Sequence, residues 1–292
     1  MATRQSVRAL MTALAVLIAV VLGGWSPPPA HADEAACPAQ VASLQATMAK
    51  IDDHNARGLP GGVGPPEIVG PYNREADQLN AEKAAKLGQL QACSAVTDKL
   101  RAGGPPTRPL NKAALENIGD GKTKIPSGWT PPSPLPTLGT RITIPPNSPL
   151  KPLWDAVNKQ KSPEYPYPNV SLQGAPRPAS TDRHPSQPDR PIGTNAKGGP
   201  AVSADHIVPK VEIMYLPRFT ELTPENMWLV LNAPVNLQWL PTVVNAKNKN
   251  SRSAADMQGV DPQWQDEQVA LQDEKRRELT ELIAQLADSQ QP

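Results

Sequence analysis

The stretch SADHIVPKVEI, residues 203 to 213, places an aspartate and a histidine side by side at the start of an apolar segment. Adjacent residues of a strand point to opposite faces, so Asp205 and His206 can serve one site only where the strand twists or ends. Pro209 follows three residues after His206 and, because proline lacks an amide donor, predicts a strand end. Taken alone, the pair also fits an ordinary strand end at which Asp205 caps a turn.

A second stretch, VNLQWLPTVVNAKNKNSRS at residues 235 to 253, gives the pair a context. Asn236 begins an Asn-Leu-Gln motif, and Asn245 lies nine residues after it. Together with the aspartate-histidine pair and the intervening FTELTPENMWLVLNAP, this arrangement resembles the HNH, or ββα-metal, endonuclease family, and in particular its toxin-type branch. The resemblance covers only residues 201 to 256.

The resemblance implies two strands followed by a helix, with a role for each polar residue. His206 would be the general base, because a neutral imidazole accepts a proton near neutral pH. Asp205 and Asn245 would bind a divalent metal, Mg²⁺ or Mn²⁺, through oxygen atoms. Asn236 would be the catalytic-site residue that orients the loop and the His206 ring. An alternative remains for Asn245, since asparagine also favours the N-cap position of a helix.

The sequence departs from the family pattern at two places. Many members hold the helix with a structural zinc on Cys-x-x-Cys pairs, but the corresponding residues here are Pro241 and Val244. No structural zinc is therefore expected. The lysine that follows the helical asparagine in the family is displaced by one position, in the segment Asn-Lys-Asn at residues 248 to 250.

A short basic cluster, Lys247, Lys249 and Arg252, follows Asn245. These residues are expected to contact nucleic acid, with DNA favoured over RNA; the alternative is a solvated surface without a partner. The whole chain has 29 basic and 28 acidic side chains, so it has no overall field that attracts an anionic partner. Contact with nucleic acid would therefore depend on this local cluster.

The first 32 residues have the pattern of a secretory signal peptide. Arg4 and Arg8 precede an apolar run of about 14 residues, and an Ala-His-Ala triplet ends at residue 32 as a small-x-small cleavage site. The run is shorter than the roughly 20 residues that span a bilayer. The protein is therefore expected to be secreted, without a stable membrane span after cleavage.

Residues 33 to 102 contain two helical patterns. Apolar residues at spacings of three and four predict a helix over 37–56, and an alanine-rich pattern predicts a second over 73–100, after a Gly/Pro-rich break. Cys37 and Cys93 are the only cysteines. In an antiparallel pair of helices they would meet at the open end, so the sequence predicts a disulfide-stapled hairpin.

The remaining chain divides into a Pro-rich middle and a C-terminal domain. Residues 103 to 198 hold more than half of the 36 prolines, which predict either an extended linker or an irregular coat on the C-terminal domain. Residues 199 to 292 would form the HNH-like domain, ending in a charged helix over 261–288. The expected fold class is α+β.

Two function classes follow from these patterns. The first is a secreted metal-dependent endonuclease, which in an antibacterial toxin would have an immunity or docking protein as a partner. The second is a structural or interaction protein that keeps the HNH scaffold without catalysis. A serine hydrolase is not supported, because the sequence has no Gly-x-Ser-x-Gly motif.

Overall fold

The computed structural model describes residues 37–58, 64–104, 108–160 and 170–290. In these ranges the chain forms helices and two-stranded antiparallel pairs, which confirms the α+β class. The helices are α1 (Pro38–Arg57), α2 (Pro66–Arg101), α3 (Lys112–Thr123), α4 (Lys151–Asn158), α5 (Lys210–Ile213), α6 (Pro224–Leu231) and α7 (Pro262–Ser289). The strands are β1 (Thr137–Leu138), β2 (Arg141–Ile142), β3 (Ser171–Leu172), β4 (Ala175–Pro176), β5 (Arg183–His184), β6 (Gln187–Pro191), β7 (Val202–His206) and β8 (Leu237–Pro241). The predicted signal peptide, residues 1–32, lies outside the described residues.

The N-terminal hairpin has the predicted disulfide. Cys37, directly before α1, bonds to Cys93 in the last third of α2, with the two Cα atoms 6.2 Å apart. At the other end of α1, Arg57 forms an ion pair with Glu75 in the first part of α2. The start of one helix therefore meets the end of the other, and the pair is antiparallel.

Helix α2 begins at Pro66, seven residues before the predicted start at residue 73. The sequence favours a break as far as Pro71, because an internal proline removes one amide donor. The structure instead begins the helix at Pro66, where the first amides have no intrahelical partner and proline is well tolerated. Pro71 then lies inside a helix of 36 residues, so its local penalty is outweighed by the packing of the rest.

The described part of the Pro-rich middle packs against other helices of the chain and itself contains the short helices α3 and α4. Asn111 caps α3 by accepting a hydrogen bond from the Ala114 amide at 2.9 Å. Ile118 of α3 and Leu153 of α4 are fully buried. Gly121 allows the two helices to approach closely, since a Cβ atom there would lie 2.8 Å from the Leu153 Cα.

One apolar core joins side chains from the hairpin, the middle and the C-terminal part of the chain. Its members include Val96, Leu100, Ile118, Leu153, Val211, Phe219, Met227, Leu231, Leu279, Ile283 and Leu286. Helix α2 packs against α7, and the Gln40 amide of α1 donates to the Ser289 carbonyl at 2.8 Å. The hairpin is thus anchored to the C-terminal helix by both apolar and polar contacts.

Helix α7 starts where the sequence predicts a charged C-terminal helix. Asp261 is its N-cap, and the carboxylate accepts a hydrogen bond from the Trp264 amide at 2.9 Å. On its buried side, the Gln272 amide donates to Glu212 at 3.0 Å. None of the helices in the described ranges combines the length and the apolar character that a membrane crossing requires.

Strands β7 and β8 form the pair on which the candidate site is built. Their register sets Val202 opposite Pro241 and His206 opposite Leu237. The segment between them forms α5, α6 and two 3₁₀ turns, and most of its residues are buried. A π-helical turn, Val244–Lys249, follows β8 almost directly.

Candidate active site

Asp205 lies at the centre of a polar cluster on one face of β7. Gln238 is its cross-strand partner and donates through Nε2 to the Asp205 Oδ2 atom at 3.3 Å. The same amide also donates to Gln268 of α7 at 2.8 Å. The Asp205 residue is only 3% exposed, so its carboxylate depends on protein partners in place of water.

Lys249 supplies the positive charge that Asp205 requires. Its Nζ atom lies 2.9 Å from the Asp205 Oδ2 atom and also donates to the Ile207 carbonyl at 2.9 Å. Both ion-paired side chains are about 5% exposed or less. Lys249 is the last residue of the π-helical turn, and its side chain reaches Asp205 and the backbone directly after β7.

Asn245 lies on the same face of β7 as Asp205. Its side-chain amide donates to the Ser203 Oγ atom at 3.1 Å. Ser203 and Asp205 are two residues apart in one strand, and side chains at that spacing share a face. The alternative of Asn245 as a helix N-cap is wrong, because the turn begins at Val244 with Val243 in the cap position.

His206 is the last residue of β7 and has a different environment. Its ring Nε2 lies 2.9 Å from the Leu231 carbonyl oxygen at the end of α6. A carbonyl oxygen only accepts hydrogen bonds, so Nε2 carries the proton and the lone pair of the neutral ring is on Nδ1. The pKa of His206 is lowered to about 3, mainly because burial disfavours the imidazolium and also because Lys210 is nearby. The ring is therefore neutral at pH 7.

Lys210, the first residue of α5, lies near His206 and contributes to its lowered pKa. Its ammonium lies 5.8 Å from the centre of the Trp228 ring, within the range of a cation–π contact. Burial lowers the pKa of Lys210 to about 8, because a charged amine loses hydration there.

Asn236 clamps the chain that leaves β7. Its Oδ1 atom accepts from the Val208 amide at 2.8 Å, and its Nδ2 atom donates to the Val208 carbonyl at 2.9 Å. The Asn236 carbonyl also accepts from the Ile207 amide at 2.9 Å. Asn236 is completely buried, so these bonds replace all of its contacts with water. Its contacts are to the backbone beyond His206, whereas the His206 ring is held by Leu231.

The three basic residues of the predicted cluster have different environments. Lys247 is exposed, whereas Lys249 is buried on Asp205. Arg252 is half-buried: its Nη1 atom donates to the carbonyls of Lys247 and Asn248 at 3.3 Å, and its Nε atom to Thr140 at 2.8 Å. The prediction of one exposed basic edge therefore fits Lys247 best. For Lys249 it does not agree with the structure, because the ion pair with Asp205 draws the ammonium inward.

The donor atoms of Asp205 and Asn245 suit Mg²⁺ or Mn²⁺ in kind, since both are hard oxygen ligands. Lys249 already neutralises the Asp205 carboxylate, so a divalent ion fits there only when the ammonium has left. Within the described ranges, no group of three or more His, Cys, Asp and Glu side chains is arranged to hold a metal. A metal would thus depend on Asp205, Asn245, water and the oxygens of a phosphate.

Several contributors to this site are not evident from sequence reasoning. Gln238 is part of the Asn-Leu-Gln motif, and its place opposite Asp205 follows from strand register alone. Gln268, Lys210 and the Leu231 carbonyl come from other elements, and no spacing rule connects them to the pair. The signal that could have found Lys210 is its position four residues after His206, directly beyond Pro209.

Comparison with known proteins returns no relative: no family model, no curated protein and no solved structure matches the chain.

Proposed function

We propose that the protein is a secreted, metal-dependent endonuclease that hydrolyses phosphodiester bonds, with DNA as the favoured substrate. The observation that carries the proposal is the state of His206 at the end of β7. Its Nε2 atom is engaged by the Leu231 carbonyl, so the neutral ring keeps Nδ1 as its basic nitrogen. This histidine is adjacent in sequence to Asp205, the carboxylate to which the resemblance assigns the metal, and the two side chains contact different partners.

Each residue of the site then has a chemical role. His206 would take a proton from the attacking water at Nδ1. Asn236 would be a positioning residue, because it holds the backbone after β7 through Val208. Asp205 and Asn245 would hold the divalent ion, which when bound neutralises charge on the phosphate and on the leaving oxygen.

The low pKa of His206 has two opposite effects on such a reaction. It keeps the ring neutral, and so able to accept a proton, over the whole physiological range. A base with a pKa of about 3 is nevertheless a weak one, because efficient bases titrate near the working pH. A bound phosphodiester would add a negative charge close to Lys210 and raise the pKa of His206 toward that range.

A plasmid-nicking assay in EDTA, Mg²⁺ and Mn²⁺ tests the proposal. The wild type should cut only with metal, and His206→Ala should lose about 10²- to 10⁴-fold in rate, the usual contribution of a general base. Calorimetry should find its Mn²⁺ affinity unchanged, because the histidine is not proposed as a ligand. His184→Ala is the matched control: it removes a half-buried histidine that contacts Ser186 at 2.7 Å and should cut like the wild type. Absence of cutting by the wild type on DNA and RNA with either metal would exclude the nuclease.

A structural or interaction protein is the second candidate, and the Asp205–Lys249 pair favours it. A carboxylate that is satisfied by an internal ammonium needs no metal to remain buried. In such a protein the polar cluster would only stabilise the strand pair. His206→Ala would then alter stability alone, and the nicking assay would be negative for every variant.

A further inference from the structure

Arg177 is a cation whose charge is not balanced by a neighbouring carboxylate. It follows β4 directly and lies half-buried against Trp239 of β8, with its guanidinium carbon 5.3 Å from the centre of the Trp239 ring. Its Nε atom is shielded from solvent and has no hydrogen-bond acceptor, and among the described residues no carboxylate forms an ion pair with the side chain. A buried donor without an acceptor lowers stability, so a ligand that brings an anionic acceptor would offset that cost.

Trp239 places Arg177 on one particular face of the strand pair. Trp239 pairs with Ala204 across the two strands, and both belong to the apolar side of the pair. Asp205 is the next residue of β7 and therefore points to the opposite side, where it binds Lys249. An anion at Arg177 would thus leave the ion pair of Asp205 intact.

A second arginine without a carboxylate partner lies at one end of the same face. Pro241, the last residue of β8, lines a cavity of about 200 Å³ together with Arg190 and Ile192. Ile192 also packs against the apolar cluster that contains Trp239. The exposed Arg190 donates through Nη2 to the neutral Gln187 side chain at 2.6 Å, and within the described ranges it forms no ion pair.

His206 lies at the other end of this face. It follows Ala204 by two residues in β7, and side chains at that spacing point to the same side. Arg190, Arg177 and His206 therefore follow one another along the strands, and we call these three residues the basic face. The five residues of β8 span about 13 Å, which corresponds to roughly four nucleotide steps of one DNA strand.

We propose that the basic face binds the phosphates of a nucleic acid, with Arg177 as its main contact. A guanidinium has planar donors that match two oxygens of a phosphate, and partial burial strengthens such a charge-assisted bond. Arg190 is exposed, so its contact with a neighbouring phosphate is weaker. The inference deepens the proposed function and rests on it for the role of His206, but the binding itself requires neither metal nor cleavage.

Fluorescence anisotropy of a labelled oligonucleotide tests the proposal, in EDTA so that no metal-dependent cleavage occurs. The wild type should bind with an affinity that falls as the salt concentration rises. Arg177→Gln should bind about tenfold more weakly, as expected for the loss of a hydrogen bond to a charged group, and its salt dependence should fall by about one counterion. Arg177→Lys keeps the charge without the planar donors, so it should keep the salt dependence and lose part of the affinity.

Arg74→Gln is the matched control for the change in net charge. It removes an exposed arginine from the first third of α2 and should bind the oligonucleotide like the wild type. Arg190→Gln should weaken binding less than Arg177→Gln does. Melting temperatures are measured for every variant, and binding is compared at a temperature at which all of them are folded.

Three results would overturn the proposal. The first is a wild type that does not bind the oligonucleotide, and the second is equal binding by Arg177→Gln and Arg74→Gln, which would make Arg177 only a structural neighbour of Trp239. Polyglutamate is the probe for the third: if Arg177→Gln loses affinity for this acidic polypeptide but not for the oligonucleotide, the face binds an acidic protein instead.

Cleavage assays with metal on the same proteins keep this inference apart from the nuclease proposal. If the wild type cuts nucleic acid while Arg177→Gln binds it as well as Arg74→Gln does, the nuclease stands and the basic face fails. If Arg177→Gln binds more weakly while no protein cuts, the basic face stands and the nuclease fails.

Discussion

The helical hairpin and the β7–β8 unit are held together by different forces. The hairpin relies on the covalent bond between Cys37 and Cys93 and on packing against α7 that is mainly apolar and includes the hydrogen bond from Gln40 to the Ser289 carbonyl. The strand pair packs apolar side chains such as Val202, Leu237 and Trp239, and in addition it contains buried polar groups that satisfy one another, among them the ion pair of Asp205 and Lys249. Apolar packing tolerates small shifts, whereas hydrogen-bonded groups require their partners at specific positions. Changes in the hairpin should therefore affect stability alone, and changes at the strand pair should affect stability and chemistry together.

The largest expected effect on stability comes from removal of the disulfide. Replacing both cysteines by alanine frees a loop with a sequence separation of 56 residues and should lower the free energy of unfolding by about 4 kcal/mol. Denaturant titration measures this loss. Under conditions where the variant is still folded, its cleavage rate and Mn²⁺ affinity should match the wild type. A fall in either would show that the hairpin supports the site, and it would contradict the expectation that changes in the hairpin affect stability alone.

Asn236→Ala should have the next largest effect and should act on both properties. It removes two buried hydrogen bonds and leaves the Val208 amide and carbonyl unsatisfied, at a cost of about 3 kcal/mol. Asn245→Ala is the matched control in EDTA, because it loses one hydrogen bond to Ser203 in a half-buried place and should cost about 1 kcal/mol. For Mn²⁺ affinity the larger effect is expected from Asn245→Ala, because Asn245 is a proposed ligand and Asn236 is not. Asn245→Ala should therefore weaken Mn²⁺ binding. Unchanged Mn²⁺ affinity in that variant would remove Asn245 from the proposed ligands.

The pH dependence of stability should report on His206. Its pKa is about 3 in the folded protein against about 6.5 in an unfolded chain, so below pH 6.5 the unfolded state binds a proton that the folded state does not. Stability contributed by the neutral ring is therefore lost as the pH falls from about 6.5 toward about 3, at up to about 1.4 kcal/mol per pH unit. His206→Gln removes the group, so the difference between the two unfolding free energies should change between pH 7 and pH 5. Parallel curves for the two proteins would contradict the neutral state of the His206 ring.

Lys247→Ala should have the smallest effect. The side chain is exposed, so the free energy of unfolding should change by less than about 0.5 kcal/mol. If Lys247 contacts a phosphate, the variant should bind DNA more weakly and the salt dependence of binding should fall by about one counterion. Arg252→Ala is an informative contrast, because it also removes the hydrogen bonds to carbonyls of the π-helical turn and should lower stability. Equal salt dependence in wild type and Lys247→Ala would leave Lys247 as an ordinary solvated lysine.

Much of the architecture was predictable where local chemistry decides it. The positions of Cys37 and Cys93 at matching ends of two helical patterns predict their pairing, and the charged pattern over 261–288 predicts the C-terminal helix, for which the structure shows Asp261 as the N-cap. The start of α2 was not predictable in the same way. Pro71 is a local signal for a break, and the long helix that outweighs it is stabilised by distant packing.

The candidate site likewise has features that the sequence predicts and features that depend on tertiary packing. Strand alternation predicts that Asp205 and His206 face different environments, and Pro209 predicts the end of the strand close to His206. The burial of Lys249 was not predictable, since a lysine in a polar, basic stretch ordinarily projects into water. Its inward position depends on the tertiary packing that brings the π-helical turn within reach of Asp205.

By itself, the sequence determined the disulfide, the helical hairpin, the C-terminal helix and the presence of an acidic and an imidazole side chain at adjacent positions near the end of β7. Each of these follows from residues close in the chain or from the only possible cysteine pair. The tertiary structure alone decided the partners of those groups: the Leu231 carbonyl that selects the His206 tautomer and the Lys249 ammonium that neutralises Asp205. These partners lie 25 and 44 residues away in sequence, and only the folded chain brings them within hydrogen-bond distance. Because a polar group that is shielded from water needs a partner, these contacts decide which nitrogen of His206 carries the proton and which group balances the Asp205 carboxylate.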